Sequence, residues 1–205
     1  MINHPIQTIV FDLGGVLIDW NPRYLFRSVF KAREDEMEYF LTHVCNQEWN
    51  EKQDAGRSFA EAELEIAARF PQFKSEVEIY FKRWDETLGQ SIAGTVQILS
   101  ELKNTKKYQL LALSNWSAET FHFAREKYEF LKLFEAILVS GEEKLIKPDP
   151  KFFNLLTTRY GVVPEQSVFI DDVERNIKAA QNLGFQTIHF QNPEQLKNSL
   201  AKLVS

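Results

Sequence analysis

Five short apolar runs constrain this chain more than any other feature. They are "TIVFD" (residues 8–12), "QLLALS" (109–114), "AILVS" (136–140), "SVFID" (167–171) and "QTIHF" (186–190). Each is near-continuously apolar rather than alternating. A strand needs that pattern when both of its faces are covered. Segments with a period near 3.6 lie between the later runs, around residues 92–102, 118–128, 150–160 and 176–183. Strands alternating with helices build right-handed βαβ units. The expected fold is therefore α/β, a doubly wound parallel sheet.

Residues 21–85 break the rhythm. They hold no convincing strand, read as helical, and are crowded with aromatics from Tyr24 and Phe26 to Phe81 and Trp84. The first strand is thus expected to lead into a small helical subdomain lying over the main one. The expected division is a core of residues 1–19 and 86–205 and a helical unit of residues 20–85. A length of 205 residues suits one domain with such an insertion.

The net charge of −5 argues against nucleic acid or an anionic membrane as partner, though not against a small anionic substrate. The single cysteine, Cys45, excludes a disulfide within the chain, argues against a thiolate zinc site, and reads as buried packing. No apolar run reaches the ~20 residues of a membrane helix. "MINHPIQT" has no basic segment followed by an apolar run, so a cytoplasmic address is expected.

Ligands of open α/β sheets bind beyond the carboxyl ends of the strands. Asp12 follows the first run, and Ser114 and Asn115 the second. Lys144 and Lys147 follow the third, on "GEEKLIKPDP", and Asp171 and Asp172 the fourth. Singly, each is an ordinary capping or surface residue. Together they suit phosphoryl transfer. An aspartate can attack phosphorus, and carboxylates with phosphate oxygens suit a hard cation such as Mg²⁺. A hydroxyl and a helix N-terminus can hold phosphate, and a lysine neutralises the developing charge.

"FDLGGVLID", "LLALSNW", "KLIKPDP" and "VFIDDVERNIKAA" resemble, in order, the four motifs of the haloacid dehalogenase-like (HAD) hydrolases. The insertion resembles their small helical cap. "EWNEKQDAG" (48–56) is similar to the subgroup that includes phosphatases of α-D-glucose 1-phosphate. The resemblance implies Mg²⁺-dependent hydrolysis of a small phosphomonoester, a sugar phosphate by preference, through an aspartyl-phosphate. It implies Asp12 as nucleophile and metal ligand, and Ser114 and Asn115 as phosphate-binding residues. Lys147, before a proline, is favoured over Lys144 as the motif lysine. Asp172 and the Gly14 carbonyl would complete the metal site, with Asp171 one step outside. The partner would be a small phosphorylated metabolite, and the protein a monomer or homodimer.

One departure stands out. The family's phosphatases usually carry an acid–base aspartate two positions after the nucleophile, where this chain has Gly14. The resembled subgroup also has glycine there, and an anomeric phosphate leaves easily. Alternatively, Asp19 folds back into the site, or the site binds phosphates and turns over slowly. Two rival readings follow, a metal-independent 2-haloacid dehalogenase and a catalytically weak phosphate-binding or regulatory protein. Dehalogenases normally carry tyrosine at the Gly14 position, which speaks against the first. Trp20, Trp49, Trp116, Arg23 and Asp54 are candidate substrate contacts. None of the four histidines is assigned chemistry.

Overall fold

The computed structural model describes residues 5–203. The extremes of the expected core (1–4 and 204–205), with His4, lie outside the described residues. Five strands form one parallel sheet: β1 (Thr8–Phe11), β4 (Gln109–Ser114), β5 (Ala136–Val139), β6 (Ser167–Asp171) and β7 (Gln186–His189). Their order is β5-β4-β1-β6-β7. From β1 the chain winds outward to β5, then crosses to β6 on the other side of β1. The winding therefore reverses between β1 and β6. That crevice, at the carboxyl ends of the strands, is where such sheets bind ligands.

Burial explains the continuous apolar runs. Ile9 and Phe11 face one apolar layer with Leu110 and Ala112, while Val10 faces the other with Leu111, Phe153 and Phe169. Both layers are covered by helices, so neither face of β1 has a solvent side to make polar. The Pro150–Tyr160 helix keeps its expected bounds because both ends carry strong local signals. The Asp149 side chain caps it, Pro150 opens it, and Gly161 closes it in the left-handed region (φ 67°).

Two short strands, β2 (Ile18–Trp20) and β3 (Leu88–Ser91), pair antiparallel in a separate ribbon. The stretch between them is helical throughout: Arg23–Phe30, Glu34–Tyr39, a π-helical Phe40–Val44, Gln47–Asp54, Phe59–Arg69 and Lys74–Lys82. The aromatics of this insertion pack on one another. Phe26 lies 4.8 Å from Phe40 and 5.4 Å from Tyr80 between ring centroids. This apolar layer is continuous with the one beneath β1. The insertion also meets the main body by polar contacts. Arg175 pairs with Glu51, Phe59 N–H donates to Glu119 at 2.8 Å, and Ser140 Oγ donates to the Asp54 carbonyl at 2.6 Å. No helix among the described residues is long and apolar enough to cross a membrane.

Candidate active site

Asp12 is the first residue past β1. Its backbone N–H still bonds the Ile170 carbonyl at 2.8 Å, so its carboxylate stands at the mouth of the β1–β6 crevice. Oδ1 accepts from Leu13 N–H at 2.7 Å and meets Lys147 Nζ at 2.9 Å. Burial lifts the Asp12 pKa to about 8; Lys147 pulls it down, while the charges of Asp171 and Asp172 add to the rise. A buried carboxylate in such company demands counter-charge.

Lys147 supplies part of it. Its side chain is fully buried, and Nζ also donates to Asp171 Oδ2 at 2.8 Å. Burial favours the neutral amine, but the two carboxylates outweigh it and hold the pKa above the ordinary lysine value. The Lys147–Pro148 peptide is cis. Lys144, the other lysine of this loop, is exposed, and its side chain packs by Gly56 in the insertion.

The two acidic residues after β6 are unalike. Asp171 is wholly buried and occupied by its own protein. Besides Lys147 it accepts from Val173 N–H at 2.8 Å and, through both oxygens, from Asn176 Nδ2 at 3.1 Å. The Asp172 carboxylate lies against Gly15. A side chain on Gly15 would collide with it, and Gly15 also has φ 73°, so glycine is required twice over. Carboxylate oxygens of Asp12, Asp171 and Asp172 lie within 4.8 Å of one another. Burial and Asp171 raise the Asp172 pKa. Three carboxylates around one ammonium form an all-oxygen, net-negative donor set, which fits a hard dication such as Mg²⁺. With Asp171 saturated by protein donors, Asp12 and Asp172 have the oxygens to spare.

Ser114, at the end of β4, is buried, and its Oγ has no hydrogen-bond partner among the described residues. An unpaired buried hydroxyl is costly, so a ligand oxygen is its natural partner. Asn115 is committed elsewhere. Its Oδ1 accepts from Lys147 N–H at 2.8 Å and its Nδ2 donates to the Lys147 carbonyl at 3.0 Å. Its amide anchors the lysine loop, which leaves one side-chain N–H and the backbone for any phosphate. Gly14 is bridged to Ile18, and a Cβ there would meet nothing within 4 Å.

A cleft of about 630 Å³ opens above these groups, beneath the insertion. Of the expected contacts, Trp20, Trp116, Arg23 and Asp54 line it, while Trp49 packs against Tyr80 and Phe81 instead. Arg23 is paired with Glu38. Trp84 and Tyr80 also line the cleft, although nothing local in the sequence distinguishes them from the other aromatics. Asp19 does not return to the site. It lies on β2, where ribbon pairing turns it towards Gly89 and the Tyr24 hydroxyl. His189, set aside on sequence, contacts the Asp172 carbonyl at 2.9 Å, because β7 runs beside β6.

Known proteins match the chain at this level. Residues 6–184 match the haloacid dehalogenase-like hydrolase family. A "phosphorylated carbohydrates phosphatase" of Thermotoga maritima is 26% identical over 90% of this chain and 84% of its own length. A "D-ribitol-5-phosphate phosphatase" of Bacteroides thetaiotaomicron is 22% identical over 98% of this chain and 99% of its own. The magnesium complex of a HAD-family enzyme from the same organism superposes with a TM-score of 0.73 at 24% identity, covering 95% of this chain and 98% of that one. The family match spans most of the sequence and contains every residue of the strand-end cluster, and the chain belongs to the haloacid dehalogenase-like hydrolases.

Proposed function

We propose that the protein is a Mg²⁺-dependent phosphatase of a small phosphomonoester, with phosphorylated carbohydrates as the favoured class. One observation carries the reading above all. The carboxylate of Asp12 stands at the floor of the cleft, oriented by Lys147, with the free hydroxyl of Ser114 at the end of the adjacent strand. Asp12 attacks phosphorus, the ester P–O bond breaks, and an aspartyl-phosphate forms. Water then attacks the same phosphorus and releases Asp12 and inorganic phosphate. Ser114 Oγ donates to a phosphate oxygen in both steps. Lys147 holds Asp12 in the attacking rotamer and offsets its charge.

Asp12, Asp172 and the Gly14 carbonyl would hold Mg²⁺, which when bound neutralises phosphate charge and favours the ionised nucleophile. Asp171 serves as a positioning residue for Lys147. Residues 20–85 act as a cap whose closure excludes bulk water from the acyl-phosphate. The aromatic faces of Trp20, Trp84 and Trp116, with the amides of Asn46 and Asn50, suit a polyhydroxylated substrate body. The two relatives named for phosphorylated carbohydrates and ribitol phosphate support that class.

The test is phosphate release from a panel containing glucose 1-phosphate, glucose 6-phosphate, ribitol 5-phosphate and glycerol 2-phosphate, in Mg²⁺ and in EDTA. Turnover that needs Mg²⁺ and vanishes in Asp12→Asn is expected. Activity on 2-haloacids that persists in EDTA would replace this reading with the dehalogenase one.

A further inference from the structure

We propose that Asp54, presented by the helical insertion, is the acid–base residue of this site, doing the work that Gly14 cannot. The inference rests on the phosphatase reading. Four carboxylate residues line the cleft: Asp12, Glu51, Asp54 and Asp172. Asp12 and Asp172 belong to the three-aspartate cluster, and Glu51 is paired with Arg175. Asp54 is the lining carboxylate that neither ion-pairs nor joins that cluster among the described residues.

Its placement is built rather than incidental. Asp54 ends the Gln47–Asp54 helix, and its carbonyl accepts from Ser140 Oγ at 2.6 Å, which ties it to the end of β5. Asn50 Nδ2 donates to its Oδ2 at 3.3 Å, and the Ser117 backbone lies near enough to lower its pKa. Asn50 in turn accepts from the Tyr80 hydroxyl. The carboxylate is thus fixed on the insertion side of the cleft, facing the loop after β4 and close enough to Lys147 to feel its charge. A leaving oxygen lies opposite the attacking Asp12 across phosphorus, on the side the insertion covers.

Burial lifts the Asp54 carboxyl to about 7, helped by Glu51 and opposed by Lys147 and the Ser117 backbone. Both protonation states are then populated near neutrality, as an acid–base group requires. The protons balance over the cycle. The Asp54 carboxylic acid gives its proton to the leaving alkoxide as Asp12 takes the phosphoryl group. The resulting carboxylate takes a proton from the water that cleaves the acyl-phosphate.

The test separates leaving-group protonation from binding. Single turnovers are followed for wild type, Asp54→Asn, and the double variant Asp54→Asn with Gly14→Asp. The substrates are the alkyl ester ranked first by the panel above and p-nitrophenyl phosphate, whose phenolate leaves without a proton. Gly14 lies outside the left-handed region and its Cβ direction is open, so an aspartate is tolerated there. Asp54→Asn is expected to slow alcohol release on the order of 10²-fold or more, with nitrophenolate release nearly unchanged. The Gly14→Asp change should restore alcohol release by about tenfold or more, which also excludes misfolding as the cause. Equal loss on both substrates, or no rescue, would overturn the assignment of Asp54 while leaving the phosphatase standing. Wild-type protein inactive on the whole panel would overturn both.

Discussion

Asn115 grips the Lys147 backbone from both sides. Its carboxamide oxygen accepts the lysine N–H at 2.8 Å, and its NH₂ donates to the lysine carbonyl at 3.0 Å. Lys147 is therefore placed by a residue of the neighbouring strand end. Asn115→Ala should lower kcat by about tenfold or more with a smaller change in KM, since a displaced Lys147 loses transition-state contacts. Stability should fall by ~1–3 kcal/mol because two backbone groups lose their partners. Steady-state kinetics alongside urea melts check both. A rise in KM alone would instead make Asn115 a substrate-binding residue.

Lys147→Met keeps the volume and removes the ammonium that pairs with both Asp12 and Asp171. Two buried carboxylates are then left facing each other. Breaking a buried pair from one side costs on the order of 3–5 kcal/mol. The double variant with Asp12→Asn should be less destabilised than Lys147→Met alone. Denaturant melts in EDTA measure this, and an additive result would show that the two residues do not share charge.

Gly15→Ala forces a side chain into a backbone at φ 73° and against the Asp172 carboxylate. The strain amounts to roughly 1–3 kcal/mol, and Asp172 must move. The expected outcome is a higher Mg²⁺ concentration for half-maximal activity, with the far-UV spectrum of the wild type. A magnesium titration reads it directly.

Burial raises the Asp54 carboxyl from its usual 3.8 to about 7 in the folded protein. Between those values the folded state binds the extra proton, so this group's contribution to stability is present below pH 4 and is lost as pH rises to 7. In EDTA, the melting temperature of Asp54→Asn relative to wild type should therefore rise by several degrees from pH 4 to pH 8. A pH-independent difference would mean that the folded protein does not hold the Asp54 proton up to neutral pH.

How much of this was legible in the sequence depends on how local each signal is. The central strands β1, β4 and β6 declare themselves most clearly because both faces are covered, which writes apolar residues at nearly every position. Pro150–Tyr160 is legible to the residue because cap, proline and glycine are all local. The β2–β3 ribbon escaped reading: Ile18–Trp20 has three residues and Leu88–Ser91 has the sequence LGQS, and each depends on a partner some seventy residues away for its pairing. The Pro193–Leu203 helix carries no signal of strand–helix alternation, since it follows the last strand and closes no βαβ unit. At the site, Asp12 and Asp171–Asp172 follow from strand-end logic, since topology alone brings strand ends together, whereas Lys147 is separated from Lys144 only by the motif resemblance. The clamp of Asn115 on Lys147 and the approach of Asp54 to the cleft join segments that are distant in the chain. No spacing within one motif reports either.

In the proposed mechanism Asp12 carries the phosphoryl group between the two chemical steps. The direct measurement is acid quench during turnover of the fastest ester in Mg²⁺, followed by peptide mass spectrometry. A phosphoryl group is expected on Asp12 of the 9–20 segment, acid-stable and hydroxylamine-labile, and absent from Asp12→Asn. Steady phosphate release with no phosphorylated aspartate, or with the label on another residue, would contradict it.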